Sequence, residues 1–334
     1  MGKSRAGVVL IGRNEGERLV RALESVSDGL RPLVYVDSGS TDGSRERARE
    51  RGAAVVDLDM AQPFTAARAR NAGFERLRED HPGLEYVQFV DGDCEVDADW
   101  IETATAELDQ DPQVAAVCGY LKERHPEQSV YNKICDVEWH MGPVGPTTSF
   151  GGNVMIRMDA LEKVGGWNPD IIAGEDDELS VRLRKEGYEL IRLDCESMIH
   201  DVDMHYAWQW WRRQKRTGYA YAQVSDLHGA TSPERKFVRE KRRALLWGLA
   251  VPAGALLMAP PTLGASCLAL ARYPAVGARV ALQTRKRGFP WAHSLAWGVS
   301  CALSSFPEAV GVAKFHLDAL QHRTPEIIEH KRTE

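Results

Sequence analysis

Short apolar runs alternate with amphipathic stretches along the first third of the chain. Gly7-Val8-Val9-Leu10-Ile11 predicts a strand, Glu15 to Ser27 a helix, Leu33-Val34-Tyr35-Val36 a second strand, and Ser44 to Arg51 a second helix closed by Gly52. Ala53 to Leu58 predicts a third strand, Thr65 to Glu79 a third helix, and Leu84 to Val90 a fourth strand. Such β-α alternation implies an α/β fold with a mostly parallel sheet covered on both faces. Further on, Leu179 to Leu183 reads as a helix with an apolar face, Glu189 to Asp194 as a strand, and Ser197-Met198-Ile199-His200 as a short strand ending in histidine. Pro143, Pro146 and the glycines of the Tyr120 to Phe150 insert predict a mobile loop.

Where the fourth strand stops, Asp91-Gly92-Asp93 holds two carboxylates one residue apart. A buried strand ending this way puts hard oxygen ligands at the carboxyl edge of the sheet, which suits a divalent cation holding a diphosphate. Asp37-Ser38-Gly39-Ser40-Thr41-Asp42-Gly43-Ser44 follows the second strand and opens a helix, so its amides and short polar side chains face the same edge. A capped turn accounts for the Ser, Thr and Gly positions. It accounts less well for Asp37, an acid directly at a strand end. Glu175-Asp176-Asp177-Glu178 opens the helix at Leu179, where attraction to the helix dipole alone would explain four acids.

The C-terminal third changes character. Ala244 to Ala271 carries no charge, and Pro260-Pro261 divides it into arms of roughly 15 and 10 residues, each too short to span a bilayer. Lys241-Arg242-Arg243 precedes it, and Arg279 and Arg285-Lys286-Arg287 follow. Basic flanks on both sides favour a re-entrant or interfacial hairpin with both ends on the cytoplasmic side. Trp291 to Phe315, with His293, Pro307, Glu308 and Lys314, reads as an amphipathic helix pair at the membrane surface. A soluble helical subdomain is the alternative, and the mean hydropathy of −0.36 permits it.

Among 334 residues, 42 basic and 48 acidic side chains leave a net charge of −6, which gives no general affinity for nucleic acid. Cys94, Cys118, Cys135, Cys195, Cys267 and Cys301 show neither zinc spacing nor a secreted disulfide pattern and are expected as buried thiols in a reducing cytoplasm. The N-terminal apolar run is five residues, so no leader is expected.

Ile11-Gly12-Arg13-Asn14-Glu15, Val36-Asp37-Ser38-Gly39-Ser40-Thr41-Asp42-Gly43, Ala69-Arg70-Asn71-Ala72-Gly73, Asp91-Gly92-Asp93 and Gly174-Glu175-Asp176-Asp177-Glu178-Leu179 occur in the order and spacing of family 2 glycosyltransferases with the GT-A fold. The chain resembles that family over roughly its first 220 residues. The resemblance implies inverting transfer from a nucleotide-diphosphate sugar with Mg²⁺ or Mn²⁺ and no covalent intermediate. It places the catalytic domain at 1–225 (nucleotide-sugar half 1–120, acceptor half 121–225) and a helical, membrane-associated region at 233–334. Asp176 is then the base and Glu175 orients it or the acceptor. Asp93, supported by Asp91, holds the metal, and His200 completes its shell, with His205 as competitor. Asp91 lies near the donor ribose and Asp37 meets the base. Glu15 belongs to the donor site. Arg13 and Arg70 reach the phosphates or the base edge, or make ordinary surface ion pairs. Trp167 in Gly165-Gly166-Trp167 offers a face to a sugar ring.

Gln209-x-x-Arg212 resembles the Gln-x-x-Arg-Trp motif of processive polysaccharide synthases, but Arg213 stands in place of the tryptophan, which argues against processivity. Arg212 and Arg216 share a helical face and could close over the diphosphate or rest on anionic lipid. The expected partners are the nucleotide sugar, a lipid-linked or cell-envelope glycan acceptor and the cytoplasmic face of the membrane, with a soluble cytoplasmic protein as the alternative. A non-catalytic sugar-nucleotide-binding or membrane-docked adaptor is the other functional class. A nucleotidyltransferase is disfavoured, because Gly12-Arg13-Asn14-Glu15 is the wrong chemistry for a Gly-rich basic loop.

Overall fold

The computed structural model describes residues 4–323. Its strands are β1 (Ala6–Gly12), β2 (Leu33–Asp37), β3 (Ala54–Asp57), β4 (Tyr86–Asp91), β5 (Cys94–Val96), β6 (Val114–Glu123), β7 (Gly145–Pro146), β8 (Val154–Arg157) and β9 (Glu189–His200). They form one sheet in the order β3-β2-β1-β4-β8-β6-β9-β5, with β7 joined to β9 off that path. The β3-β2-β1-β4 half is parallel, whereas β8 runs antiparallel to β4 and β6. Helices α1 (Glu17–Val26), α2 (Ser44–Glu50), α3 (Ala66–Asp80), α4 (Trp100–Gln110), α5 (Val130–Trp139), α6 (Met158–Lys163) and α7 (Glu175–Lys185) fall between or after the strands.

The inner strands β1, β2 and β4 form where expected because they are buried on both faces. Val8 and Leu10 of β1 join Leu19, Leu23, Trp100 and Leu108 in one core, while Val9 and Ile11 join Phe74, Leu77, Phe89 and Leu179 in the other. α3 starts where Thr65 Oγ1 accepts the Arg68 N–H at 3.1 Å. It lies close on the sheet at Gly73, where a Cβ would fall 2.3 Å from Val9 Cγ1.

Two elements differ from expectation. The strands expected at 189–194 and 197–200 are one twelve-residue strand, β9, because pairing with β6 carries the backbone through the polar Cys195-Glu196-Ser197 stretch by register shifts. The insert expected as a loop holds α5 instead, begun by Ser129 Oγ accepting the N–H groups of Tyr131 (3.1 Å) and Asn132 (2.9 Å).

The chain divides into two compact units, one up to residue 124 plus 142–202, the other 125–141 plus 203 onward. A division at 225 would cut α8 (Ala207–His228), which packs on a later helix of the second unit. That unit continues with α9 (Val238–Leu245), a π turn at Leu246–Ala250, α10 (Val251–Leu257), a 3₁₀ turn at Ala265–Ala271, α11 (Arg272–Lys286), α12 (Trp291–Leu303) and α13 (Ser305–Leu320). Small residues let α8 and α13 touch: a Cβ on Gly218 or Gly311 would lie 2.0 Å from the Glu308 or Lys215 carbonyl oxygen, respectively. Glu308 is buried and accepts from Arg243 at 3.0 Å. The helix breaks before Pro260-Pro261, and the two arms fold on each other where Ser266 Oγ donates to the Ala255 carbonyl at 2.7 Å. Leu257, Met258, Leu263 and Leu268 stand exposed around that break, Leu263 by 97%. Among the described residues, one run, Trp291–Leu320 across α12 and α13, is long and apolar enough to cross a membrane by length and composition, and 56% of its most apolar window is buried.

Candidate active site

Three parallel strands end together at the carboxyl edge. Gly12 of β1 lies opposite Asp37 of β2, and Ile11 lies opposite Asp91 of β4. The Gly92 N–H returns to the Ile11 carbonyl at 2.8 Å, and a Cβ there would sit 3.0 Å from that oxygen, so the residue between the two acids must be small. Asp37 does have structural work. Its Oδ2 accepts the N–H groups of Gly39 (3.0 Å) and Ser40 (2.8 Å), and its Oδ1 accepts the Tyr35 hydroxyl proton at 3.1 Å, so it caps the turn it opens.

At the centre of the site lies Arg70, projected from α3 and 3% exposed. Its Nη2 donates to Asp91 Oδ1 at 3.0 Å, and its Nη1 donates to Asp176 Oδ1 at 3.1 Å and Glu175 Oε1 at 3.3 Å. The expectation that Arg70 reaches donor phosphates or a base edge is therefore corrected: its fork is buried and taken up by three carboxylates. Gly152 makes room for it, since a Cβ there would fall 1.9 Å from Arg70 Nη2. The neighbouring Asn71 clamps the backbone of Trp167, accepting its N–H at 2.8 Å and donating to its carbonyl at 2.7 Å. The Arg70-Asn71-x-Gly73 motif thus holds the acids, the Trp167 loop and the sheet with successive residues of one helix turn.

Trp167 is 1% exposed, edge-on to Phe89 with ring centroids 4.5 Å apart. It has no open face for a sugar ring, contrary to expectation, because the clamped Gly166-Trp167 turn points the indole into the core. Its Nε1 instead donates to Asp176 Oδ1 at 2.9 Å. Asp176 opens α7, whose first turn carries four acids after Gly174 in the left-handed region (φ 78°). Burial pushes the Asp176 carboxyl up to about 7, against the lowering pull of Arg70, with Glu175 and Asp91 raising it further and the indole N–H lowering it.

Asp93 and His200 meet at the other end of the site. Cys94 of β5 faces His200 of β9 in an antiparallel pair, which brings His200 Nε2 to 3.5 Å from Asp93 Oδ2. Ligand atoms of Asp93, Cys94 and His200 lie within 4.8 Å of one another, a donor set that fits a divalent cation. Asp91, expected beside Asp93 as a ligand, turns to Arg70 and to Asn153 Nδ2 (3.4 Å), so it stands outside this set. His205, the competitor, lies in the second unit, 2.8 Å from Asp203 Oδ1. Asn153, Gly152, Cys94 and Glu123 were not singled out from sequence; Gly151-Gly152-Asn153 before β8 was the signal for the first two.

Arg13 stacks on Phe64, 4.4 Å from the ring centroid, and Glu15 pairs with Arg18 at 2.9 Å, both just beyond β1. Arg212 and Arg216 lie on α8 in the second unit, Arg212 over the Trp208 ring at 4.9 Å. Gln209 caps that helix, its Oε1 accepting the N–H groups of His205 (2.8 Å) and Tyr206 (2.9 Å).

The profile described as Glycosyl transferase family 2 matches residues 8–165, and that described as the N-terminal domain of galactosyltransferase matches 138–207. Glycosyltransferase AglE of Haloferax volcanii is 25% identical over 201 residues, 57% of this chain and 62% of that protein. Succinoglycan biosynthesis protein ExoA of Rhizobium meliloti is 27% identical over 202 residues, 56% of this chain and 60% of that protein. The match spans less than two thirds of either relative's length. Among solved structures, the mannosyltransferase PcManGT from Pyrobaculum calidifontis, in complex with GDP-Man and Mn²⁺, has a TM-score of 0.60 at 19% identity, covering 95% of this chain and 88% of that one. That likeness shows a shared fold.

Proposed function

Because this chain belongs to glycosyltransferase family 2 and has the GT-A fold, we propose that it transfers a sugar, with inversion, from a nucleotide-diphosphate donor to an acceptor hydroxyl. The observation that carries this reading is the gathering of Asp91, Glu175 and Asp176 on one buried guanidinium at the sheet's carboxyl edge, next to Asp93 and His200.

Inverting displacement needs a base on the acceptor hydroxyl and a counter-charge on the leaving group. Asp176 has the properties of the base. Its carboxyl is held up to about 7, poised to take a proton near neutral pH, and one of its oxygens is oriented by Trp167 and Arg70. Glu175, on the same guanidinium, holds that charge in place. A divalent ion on Asp93 and His200, as Mn²⁺ accompanies GDP-Man in PcManGT, would neutralise the departing diphosphate. Asp37 and Asp91 line the strand ends where the nucleoside is expected, with Arg13 and Glu15 beside them.

The acceptor we infer is a glycan of the cell envelope, lipid-linked and met at the cytoplasmic face of the membrane. ExoA's role in succinoglycan biosynthesis supports the glycan, and the leucines exposed around Pro260-Pro261 support the membrane surface. The test is a thermal-shift screen of nucleotide sugars with Mn²⁺, followed by a transfer assay on the stabilising donor. Stabilisation by one donor and its consumption are expected. A chain that neither is stabilised by any nucleotide sugar nor consumes one is not a transferase.

A further inference from the structure

Cys94, His200 and Glu123 stand in one row across the sheet. β9 lies between β5 and β6, and His200 is the register partner of Cys94 on one side and of Glu123 on the other. Directly paired residues project from the same face, so sulfur, imidazole and carboxylate line up there. Asp93 closes the group, with its Oδ1 3.7 Å from Cys94 Sγ and its Oδ2 3.5 Å from His200 Nε2. One ligand atom from each of Asp93, Cys94 and His200 lies within 4.8 Å of the other two, near enough for an ion with metal–ligand bonds of about 2.0–2.3 Å to gather all three.

We propose that Cys94 makes this a mixed oxygen, nitrogen and sulfur site, so that in the absence of nucleotide it binds thiophilic divalent ions such as Zn²⁺ and Co²⁺ through Cys94 Sγ, Asp93 and His200. The proposal rests on the reading of Asp93 and His200 as metal ligands and adds the sulfur to it. Two further contacts support it. Asn153 Oδ1 is fixed by the Asp91 N–H at 2.9 Å, which turns its Nδ2 toward Cys94 Sγ at 3.3 Å. That amide holds the sulfur in place beside Asp93. Glu123, itself buried, lies 3.9 Å from His200 Nδ1 and accepts the Val202 N–H at 3.3 Å. It is a positioning residue: held by the backbone, it favours the tautomer whose Nε2 lone pair faces Asp93. As the sulfur–metal bond forms, the thiol proton passes to solvent. Oxygen-preferring Mn²⁺ gains little from the sulfur, so Cys94 sets selectivity among ions.

The experiment is a Co²⁺ titration of the full chain followed by absorption, beside a Mn²⁺ titration by calorimetry with and without GDP or UDP. Wild type is expected to show a sulfur-to-cobalt charge-transfer band together with the visible bands of four-coordinate Co²⁺. Cys94→Ser, and Cys94→Ala as an independent variant, should lose the charge-transfer band and lower the ratio of Co²⁺ to Mn²⁺ affinity at least about tenfold. Glu123→Gln should keep the band and weaken Co²⁺ binding by about 10–100-fold. Co²⁺ binding with no charge-transfer band, or a band that survives both Cys94 variants, overturns the proposal and leaves the Asp93–His200 reading standing. Binding of neither Co²⁺ nor Mn²⁺, with or without nucleotide, overturns both.

Discussion

The indole N–H of Trp167 points at Asp176, 2.9 Å from Nε1 to Oδ1, from a ring locked in the core. The same carboxylate oxygen accepts from Arg70 at 3.1 Å, so one oxygen of Asp176 is held by two donors. As the proposed base, a carboxyl oriented in this way would spend no reorganisation on meeting an acceptor hydroxyl.

Asp176→Asn keeps this geometry but cannot take a proton. Its chemical step should fall roughly a hundredfold or more with donor affinity near normal, measured by single-turnover rates beside calorimetric donor binding. Wild-type activity should rise as pH passes through about 7, where Asp176 ionises. The stability sign is opposite. Because the folded-state carboxyl lies above its usual 3.8, its ionisation costs stability as pH rises from there to about 7. The melting temperature of Asp176→Asn should therefore gain on wild type across that window and hold the gain above it.

Replacing Trp167 with Phe keeps most of the core volume and deletes the N–H that lowers the Asp176 pKa. The rising limb of the pH–rate profile should move to higher pH, and stability should drop by about 1–3 kcal/mol, read by urea denaturation. An unmoved limb would mean the indole only fills space.

Arg70→Gln leaves three carboxylates sharing a buried site without their cation. A loss of about 3–5 kcal/mol is expected from the unfolding midpoint, larger at pH 8 than at pH 5 as Asp176 loses its proton. Arg70→Lys should not rescue it, since one ammonium cannot replace a fork that reaches Asp91 through one nitrogen and Glu175 and Asp176 through the other.

For the metal, Asp93→Ala should abolish transfer and nearly abolish Mn²⁺-dependent nucleotide binding, while His200→Ala should weaken the Mn²⁺ dependence with the fold intact. Calorimetry with Mn²⁺ and nucleotide diphosphate reads both. Full transfer by Asp93→Ala in the presence of chelator would remove the metal from the reaction.

Leu257, Leu263 and Leu268 changed together to Gln should reduce sedimentation with anionic liposomes at least about tenfold, because insertion of each leucine contributes favourable transfer energy. If the unaltered chain ignores such liposomes at low salt, the exposed leucines do not serve a membrane.

Much of the first unit is legible in the sequence because its inner strands are continuous apolar runs that alternate with helical stretches. Motif and strand end single out Asp93 and His200, and the two stand 3.5 Å apart. The orientation of Arg70 and Trp167 could not be read. Whether a guanidinium or an indole faces solvent depends on what α3 and the Gly166 turn pack against, and the partners lie nearly a hundred positions apart. Likewise Asn153 and Glu123 acquire their roles only when β8, β6 and β9 come together. The length of β9 was missed because its polar middle is stabilised by a neighbouring ladder rather than by apolar pattern.

That long strand bears on how the histidine proposed as a metal ligand is held. His200 stands at the last position of β9 with its carbonyl tied to the Arg124 N–H at 2.8 Å, rather than on a loop that must close over its cargo. The conformational entropy of placing its ring is spent when the sheet folds. On the proposed function, arrival of cation and nucleotide would draw on none of their contact energy to assemble the site, and that energy would remain for discriminating one donor from another.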